Sequence, residues 1–201
     1  WRCGKLPAHQ VLRALLPNEQ LSSIYTRYGE GVTPQAKPEP TFATELTYPL
    51  GLGPLQEPHL RYLQERGFDP EALIEEWGIQ GIGNYGGLWA WRTFIPIRNR
   101  EGVLVSYVGR SISEAVRPKY YFLDNAKSLT NPKSLLYGED KVTGPTIVVV
   151  EGPTDVWRLG PGTVATFGTG WILEQATKFR TYRRRLILFD PEPQAQKKAV
   201  Q

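Results

Sequence analysis

Four carboxylates sit where short apolar runs end. Val148, Val149 and Val150 lead into Glu151, with Asp155 four residues on, and Leu186 through Phe189 lead into Asp190-Pro191-Glu192. Apolar runs of this kind predict buried strands, and in open α/β sheets ligands gather beyond the carboxyl ends of the strands. If the two strands are neighbours, Glu151, Asp190 and Glu192 converge on one edge. Carboxylates aimed at one place repel unless a cation lies between them. Mg²⁺ suits such a set, being hard, oxygen-seeking and held by one or two carboxylates together with substrate phosphates. Acids after strands also serve as helix caps and turn formers, and a crowded cluster can be neutralised by protons instead. The residues by themselves leave these alternatives open, and Asp155 in particular stands where a cap for the following helix would.

A second set of charges is basic. Residues 78–133 hold Arg92, Arg98, Arg100, Arg110, Arg117, Lys119, Lys127 and Lys133 against Glu101, Glu114 and Asp124, a net +5. Residues 48–77 hold six acids against Arg61 and Arg66, a net −4. A separated basic stretch fits phosphate binding as well as it fits a solvated surface.

The elements that must position these groups follow from periodicity. Residues 57–77 read as a helical hairpin: Leu60 and Leu63 share a face before Gly67, and Asp69-Pro70 supplies a cap and first position for a helix carrying Leu73, Ile74 and Trp77. Strands over 92–97 and 103–108 flank the turn Asn99-Arg100-Glu101-Gly102. Strands over 146–150, 163–167 and 186–189 alternate with helical or turn segments over 155–159 and 172–182, which implies a parallel sheet with crossovers and an α/β class. Arg183-Arg184-Arg185 reads as a solvated helix end before the last strand. Towards the N-terminus, residues 8–28 read as helical with a break at Pro17, and residues 29–40, with Pro34, Pro38 and Pro40, read as an extended linker.

Composition bounds the class. The chain of 201 residues is 40% hydrophobic and 11% aromatic, enough for a core and too much for global disorder. Its net charge is only +4. No apolar run approaches the roughly 20 residues of a spanning helix, which speaks against a membrane role. The single cysteine, Cys3, excludes an internal disulfide and a self-contained cysteine zinc site, and points to a reducing, cytoplasmic compartment. There is no methionine, so the sequence is expected to be a piece of a longer chain.

Several segments, in order, resemble bacterial and phage-type DNA primases. Residues 148–156 (VVVEGPTDV) resemble the glutamate motif of the Toprim domain, and 186–192 (LILFDPE) its second acidic motif. Residues 164–170 (VATFGTG) are similar to the "ATLGT" strand and turn, Arg61 to Phe68 to the "YLxxRG" helix end, and 94–110 to the "FPIRDxxGxVxGFxGR" hairpin. Pro118-Lys119-Tyr120 and Leu136-Tyr137-Gly138 are similar to "PKYLN" and "LYG". Arg2-Cys3-Gly4 before a helix resembles the last knuckle of a zinc ribbon, whose zinc only an intact parent protein would hold; His9 reads as a helix residue.

The resemblance implies a truncated Toprim subdomain over 141–201, a parallel sheet flanked by helices. Before it would come a mixed α+β primase N-terminal subdomain over 48–140, a proline-rich linker over 29–47 and a zinc-ribbon tail over 1–28. It implies primer synthesis by ribonucleotidyl transfer. Glu151 would support the metal site or proton transfer, Asp190 and Glu192 would anchor Mg²⁺ (or Mn²⁺), and Asp155 would stand behind them. Arg98, Arg110, Lys119 and one of Lys127 or Lys133 would line a groove for template and nucleotide, separate from the acids. One or two of Tyr85, Trp89, Trp91, Tyr107, Tyr120 and Tyr121 would stack bases. Implied partners are a single-stranded DNA template, ribonucleoside triphosphates, the RNA primer and a replicative helicase, in a bacterial cell or phage-infected host. A Toprim nuclease and a non-catalytic nucleic-acid-binding module are the rivals. The family's "DGDxAG" becomes Asp190-Pro191-Glu192-Pro193-Gln194-Ala195-Gln196, with Glu for Asp and one residue inserted, so the metal geometry is expected to shift.

Overall fold

The computed structural model describes residues 16–28 and 41–200, and the chain divides into two units, Trp1–Glu39 and Pro40–Gln201. Within the first, α1 (Asn18–Tyr28) starts directly after Pro17, with Glu19 in its first turn and Arg27 in its last, the arrangement its dipole favours. Cys3, His9 and most of the expected linker lie outside the described residues.

The second unit opens with the predicted helical hairpin. After β1 (Leu52–Gly53) come α2 (Glu57–Glu65) and α3 (Pro70–Trp77). Asp69 Oδ1 accepts from the Glu71 and Ala72 amides, Pro70 needs no donor at the first position, and Gly78 ends α3 at φ 66. Then β2 (Gln80–Ile82), β3 (Arg92–Arg98), β4 (Leu104–Ser111) and β5 (Tyr120–Phe122) complete an antiparallel sheet in the order β1-β2-β3-β4-β5. In the β3–β4 turn, Asn99 Oδ1 accepts from the Val103 amide and Gly102 takes φ 81.

The chain then alternates β6 (Thr146–Val150), α4 (Pro153–Leu159), β7 (Thr163–Ala165), α5 (Leu173–Phe179), β8 (Arg184–Ile187) and α6 (Pro193–Ala199). The three strands form a parallel sheet ordered β7-β6-β8, with Val150 opposite Ala165 and Val149 opposite Ile187. This is the expected α/β arrangement. Tyr137 exchanges two backbone hydrogen bonds with Ala165 and covers the outer edge of β7.

Two elements differ from expectation. The last strand starts two residues early and takes in Arg184 and Arg185, so these arginines are strand residues, not a helix end. Nor is that strand buried: all four of its residues are exposed, because among the described residues it pairs only with β6 and forms the sheet edge. The strand expected over 163–167 stops at Ala165, since Phe167 turns to φ 59, outside the strand region.

One core joins the two sheets. Leu63, Leu73 and Trp77 of the hairpin pack with Ile95, Ile97 and Val108 of the antiparallel sheet and with Val150, Val156 and Trp157 of the parallel part. Trp157 Nε1 donates to Tyr137 Oη at 2.8 Å inside it. Ile147 and Val149, one residue out of phase with Val150, contribute instead to a second cluster with Leu136, Val164 and Phe189.

Candidate active site

Glu151 leaves the end of β6, and its carbonyl accepts from the Gly168 amide at 2.7 Å. Because β8 lies beside β6, the chain leaving it brings Asp190 alongside: the Asp190 amide donates to Glu151 Oε1 at 3.0 Å. Burial raises the Glu151 pKa above its ordinary value, and the charges of Asp190, Asp155 and Glu192 raise it further against the opposing hydrogen bond. Asp155 Oδ2 accepts from the Gly152 amide at 3.0 Å and so ties down the start of α4. Glu192 is exposed at the N-cap of α6 and caps no amide with its side chain. Among the described residues no three His, Cys, Asp or Glu side chains are gathered as a ready metal cage.

The acids do not stand apart from the cations, as the sequence led us to expect. Glu151, Asp155 and Asp190 line one cavity of about 320 Å³ together with Arg66, Arg110 and Lys119. Arg110, paired with Thr93 in the antiparallel sheet, is only 2% exposed. Its Nε donates to Tyr62 Oη at 2.8 Å, its Nη1 donates to Tyr120 Oη, and its Nη2 is buried without a partner among the described residues. Tyr120 Oη in turn meets Thr154 Oγ1 at 3.4 Å, which links the sheet carrying the cations to the helix that follows Glu151. Lys119 has its pKa lowered, first by the Arg110 charge, then by burial and by Arg66 and Arg117. The cations therefore crowd one another as the acids do.

The remaining predicted bases lie elsewhere. Arg98 borders a different cavity, of about 210 Å³, with Trp77, Gly78 and Asp140, and its Nη1 donates to Gly102 O. Strand geometry explains this: Arg98 is five residues along β3 from Thr93, the partner of Arg110, or roughly 17 Å. Lys127 is exposed on a short helical turn after β5. Lys133 Nζ donates to the carbonyls of Thr166 and Phe167 at 2.7 and 3.1 Å, pinning the loop that carries the positive φ. Burial lowers its pKa. Arg66, which stands in the quoted helix-end motif, lines the cavity without any sequence signal that marks it as a site residue. The same holds for the aromatic wall of the cavity, Phe122 and Phe167, whose rings meet edge to face at 5.5 Å.

The described fold is that of bacterial-type DNA primase catalytic cores. A DnaG catalytic core superposes with a TM-score of 0.60 at 21% identity, over 74% of this chain and 59% of that one. The DnaG primase catalytic domain bound to single-stranded DNA gives 0.60 at 20%, over 72% and 57%. The Aquifex aeolicus primase, with zinc-binding and RNA polymerase domains, gives 0.50 at 22%, over 73% and 39%. The match thus spans less than two thirds of each of these structures. Neither a protein-family model nor a curated protein matches the sequence.

Proposed function

We propose that the chain carries the nucleotidyl-transfer site of a DNA primase, joining ribonucleotides on a single-stranded DNA template. The observation that carries this reading is one cavity that holds acids from parallel strand ends against cations from the antiparallel sheet, on a primase core fold. In this reaction a primer hydroxyl attacks the α-phosphorus of a nucleoside triphosphate and pyrophosphate leaves. Arg110 and Lys119 hold phosphate oxygens, the guanidinium through Nη2, whose sister nitrogens donate to Tyr62 and Tyr120, and the ammonium as a point charge. The unpartnered Arg110 Nη2 supports this assignment, because a buried donor without an acceptor is a costly feature that an anion satisfies. Glu151 supports the metal site or takes the proton of the attacking hydroxyl.

The donor set suits a hard divalent cation: it is all carboxylate oxygen, and the mutual repulsion that raises Glu151 is what such an ion relieves. Glu151, Asp190 and Glu192 would hold Mg²⁺ or Mn²⁺, with Asp155 behind them. The ion, when bound, supplies charge neutralisation at the phosphoryl oxygens. The neighbour solved with single-stranded DNA supports a DNA template as the partner. The primer, the triphosphates and a replicative helicase follow from the same reading, as does a cytoplasmic setting. None of the helices among the described residues is long and apolar enough to cross a membrane.

Ribonucleotide incorporation on a single-stranded DNA template tests the proposal. Glu151→Gln and Asp190→Asn should each abolish Mg²⁺-dependent synthesis while leaving pyrophosphate binding in place. Retention of synthesis in both variants would refute it.

A further inference from the structure

Next to the acidic cavity lies an open, mostly apolar groove of about 480 Å³, walled by Pro58, Tyr62, Trp91, Ile112 and Val116, with Arg61, Glu65 and Ser113 also lining it. Tyr62 separates the two. Its hydroxyl accepts from Arg110, which lines the cavity, and the Arg66 guanidinium lies 5.7 Å from the centre of its ring. Groove and cavity share no lining residue and meet at the contacts of Tyr62 with Arg110 and Arg66.

Trp91 is the unusual residue in this groove. It takes φ 54, a conformation that bulky L-residues rarely adopt and one that persists only where the surroundings enforce it. They do so here: the Trp91 amide donates to Gly83 O at 3.4 Å, and its carbonyl accepts from the Ile112 amide at 3.2 Å. The ring is tilted against buried His59 at 6.1 Å and remains half-buried, with a face on the groove. Of the other aromatics in this stretch, Trp89, Tyr107 and Tyr121 pack on one another and Tyr120 is engaged by Arg110, while exposed Tyr85 lines neither the cavity nor the groove.

We propose that this groove receives a base of the single strand whose phosphates run along Arg66, Arg110 and Lys119, with Trp91 as the platform on which that base stacks. The inference rests on the reading of the neighbouring cavity as a nucleic-acid site. A rigid indole beside a cation cluster is the pairing that single-strand binding uses, a charged track for the backbone and an aromatic face for the base. Charge favours a polyanion over a protein segment on the side towards the cavity, where Lys119 is crowded by Arg110, Arg66 and Arg117 and offset by Glu114, while in the groove itself Arg61 accompanies Glu65.

The test compares two probes, inorganic pyrophosphate and an oligothymidylate of about a dozen nucleotides. Trp91→Leu should weaken the oligonucleotide about tenfold and leave pyrophosphate unchanged, because a lost stack is worth a factor of that order. Trp91→Phe should restore most of the loss. An abasic strand of the same length should bind Trp91→Leu and the unaltered protein equally. The Trp91→Leu ratio should hold across salt concentrations, whereas the loss caused by Lys119→Ala should shrink as salt rises. Val116→Glu, on the groove wall away from the strained backbone, should weaken the oligonucleotide as well and covers the case in which Trp91→Leu fails to fold. Wild-type oligonucleotide affinity in Trp91→Leu and in Val116→Glu overturns the proposal and leaves the groove to a protein segment; an equal loss on the abasic strand also overturns it. If Lys119→Ala changes neither probe, the phosphate reading of the cavity fails separately from the stacking reading, which the Trp91 variants decide.

Discussion

Replacing Tyr62 with Phe removes one oxygen and tests how the buried cation of the cavity is held. Arg110 is 2% exposed, its Nε donates to Tyr62 Oη at 2.8 Å, and its Nη2 is already without a partner among the described residues. A guanidinium carries five N–H donors, and here solvent has little access to replace a lost acceptor. The variant therefore strands a second donor on a charged group. Hydrogen bonds to charged groups contribute about 1.5–3 kcal/mol, so the loss should be about 2 kcal/mol. For a folded unit of this size, that lowers Tm by about 4–8 °C. Urea denaturation should show a shifted midpoint with an unchanged slope, since the surface exposed on unfolding is the same. The phenyl ring keeps the groove wall intact, so oligonucleotide stacking should survive. A Tyr62→Phe protein with the wild-type midpoint would show that Arg110 is hydrated, and the account of a desolvated cation waiting for phosphate would fail with it.

Glu151→Gln should reveal the crowding of the acids through pH. The folded Glu151 has a raised pKa, so its contribution to stability is full below the ordinary glutamate value and is lost as pH rises through the raised one. The variant should therefore melt above the wild type at neutral pH and match it below the ordinary carboxylate range; identical melts at neutral pH would contradict the reading. Lys133→Met leaves the Phe167 carbonyl without its side-chain donor and the Thr166 carbonyl with Gln175 Nε2 alone, and should cost about 1–3 kcal/mol. Exchange of the Gly168 amide, bonded to Glu151 O, should quicken, and unchanged exchange would show that Lys133 does not pin this loop. Trp157→Phe deprives buried Tyr137 Oη of its partner, at about 1–3 kcal/mol, and adding Tyr137→Phe should recover part of that; strictly additive losses would deny the coupling.

The elements most legible in the sequence were those whose ends are chemically marked. Asp69-Pro70 and Gly78 bracket α3, and the apolar run over 146–150 became the central parallel strand, because local capping and burial agree there. The run over 186–189 misled for a physical reason. An aliphatic run predicts burial only if the strand is flanked on both sides, and β8 is an edge, so Leu186, Ile187 and Leu188 are exposed while Phe189 alone is buried. The short strands β1, β2 and β5 have too few residues for any period to register. At the site, the acids were legible from strand ends. The cations were harder, because net charge over a segment does not say which end of a strand a base occupies. That separates Arg110 from Arg98 on one hairpin, and it hid Arg66 in a stretch whose net charge is negative.

The placement of cations and acids in one cavity follows from the core beneath it. The acids hang from the parallel sheet and Arg110 and Lys119 from the antiparallel one, so neither sheet alone contains a site. Packing of Val150, Val156 and Trp157 against Ile95, Val108 and the helical hairpin fixes their separation, and the contact of Tyr120 with Thr154 closes it at the surface. Each charge set alone is self-repelling: Glu151 is raised by its acidic neighbours and Lys119 lowered by its basic ones. Facing one another across a cavity of about 320 Å³, they leave room for a ligand that carries both signs of complement, phosphate oxygens for the cations and a divalent ion for the acids. Phosphate accompanied by a divalent ion, whether on a nucleotide or along a strand, is such a ligand, whereas a bare polyanion or a bare cation would satisfy only one wall.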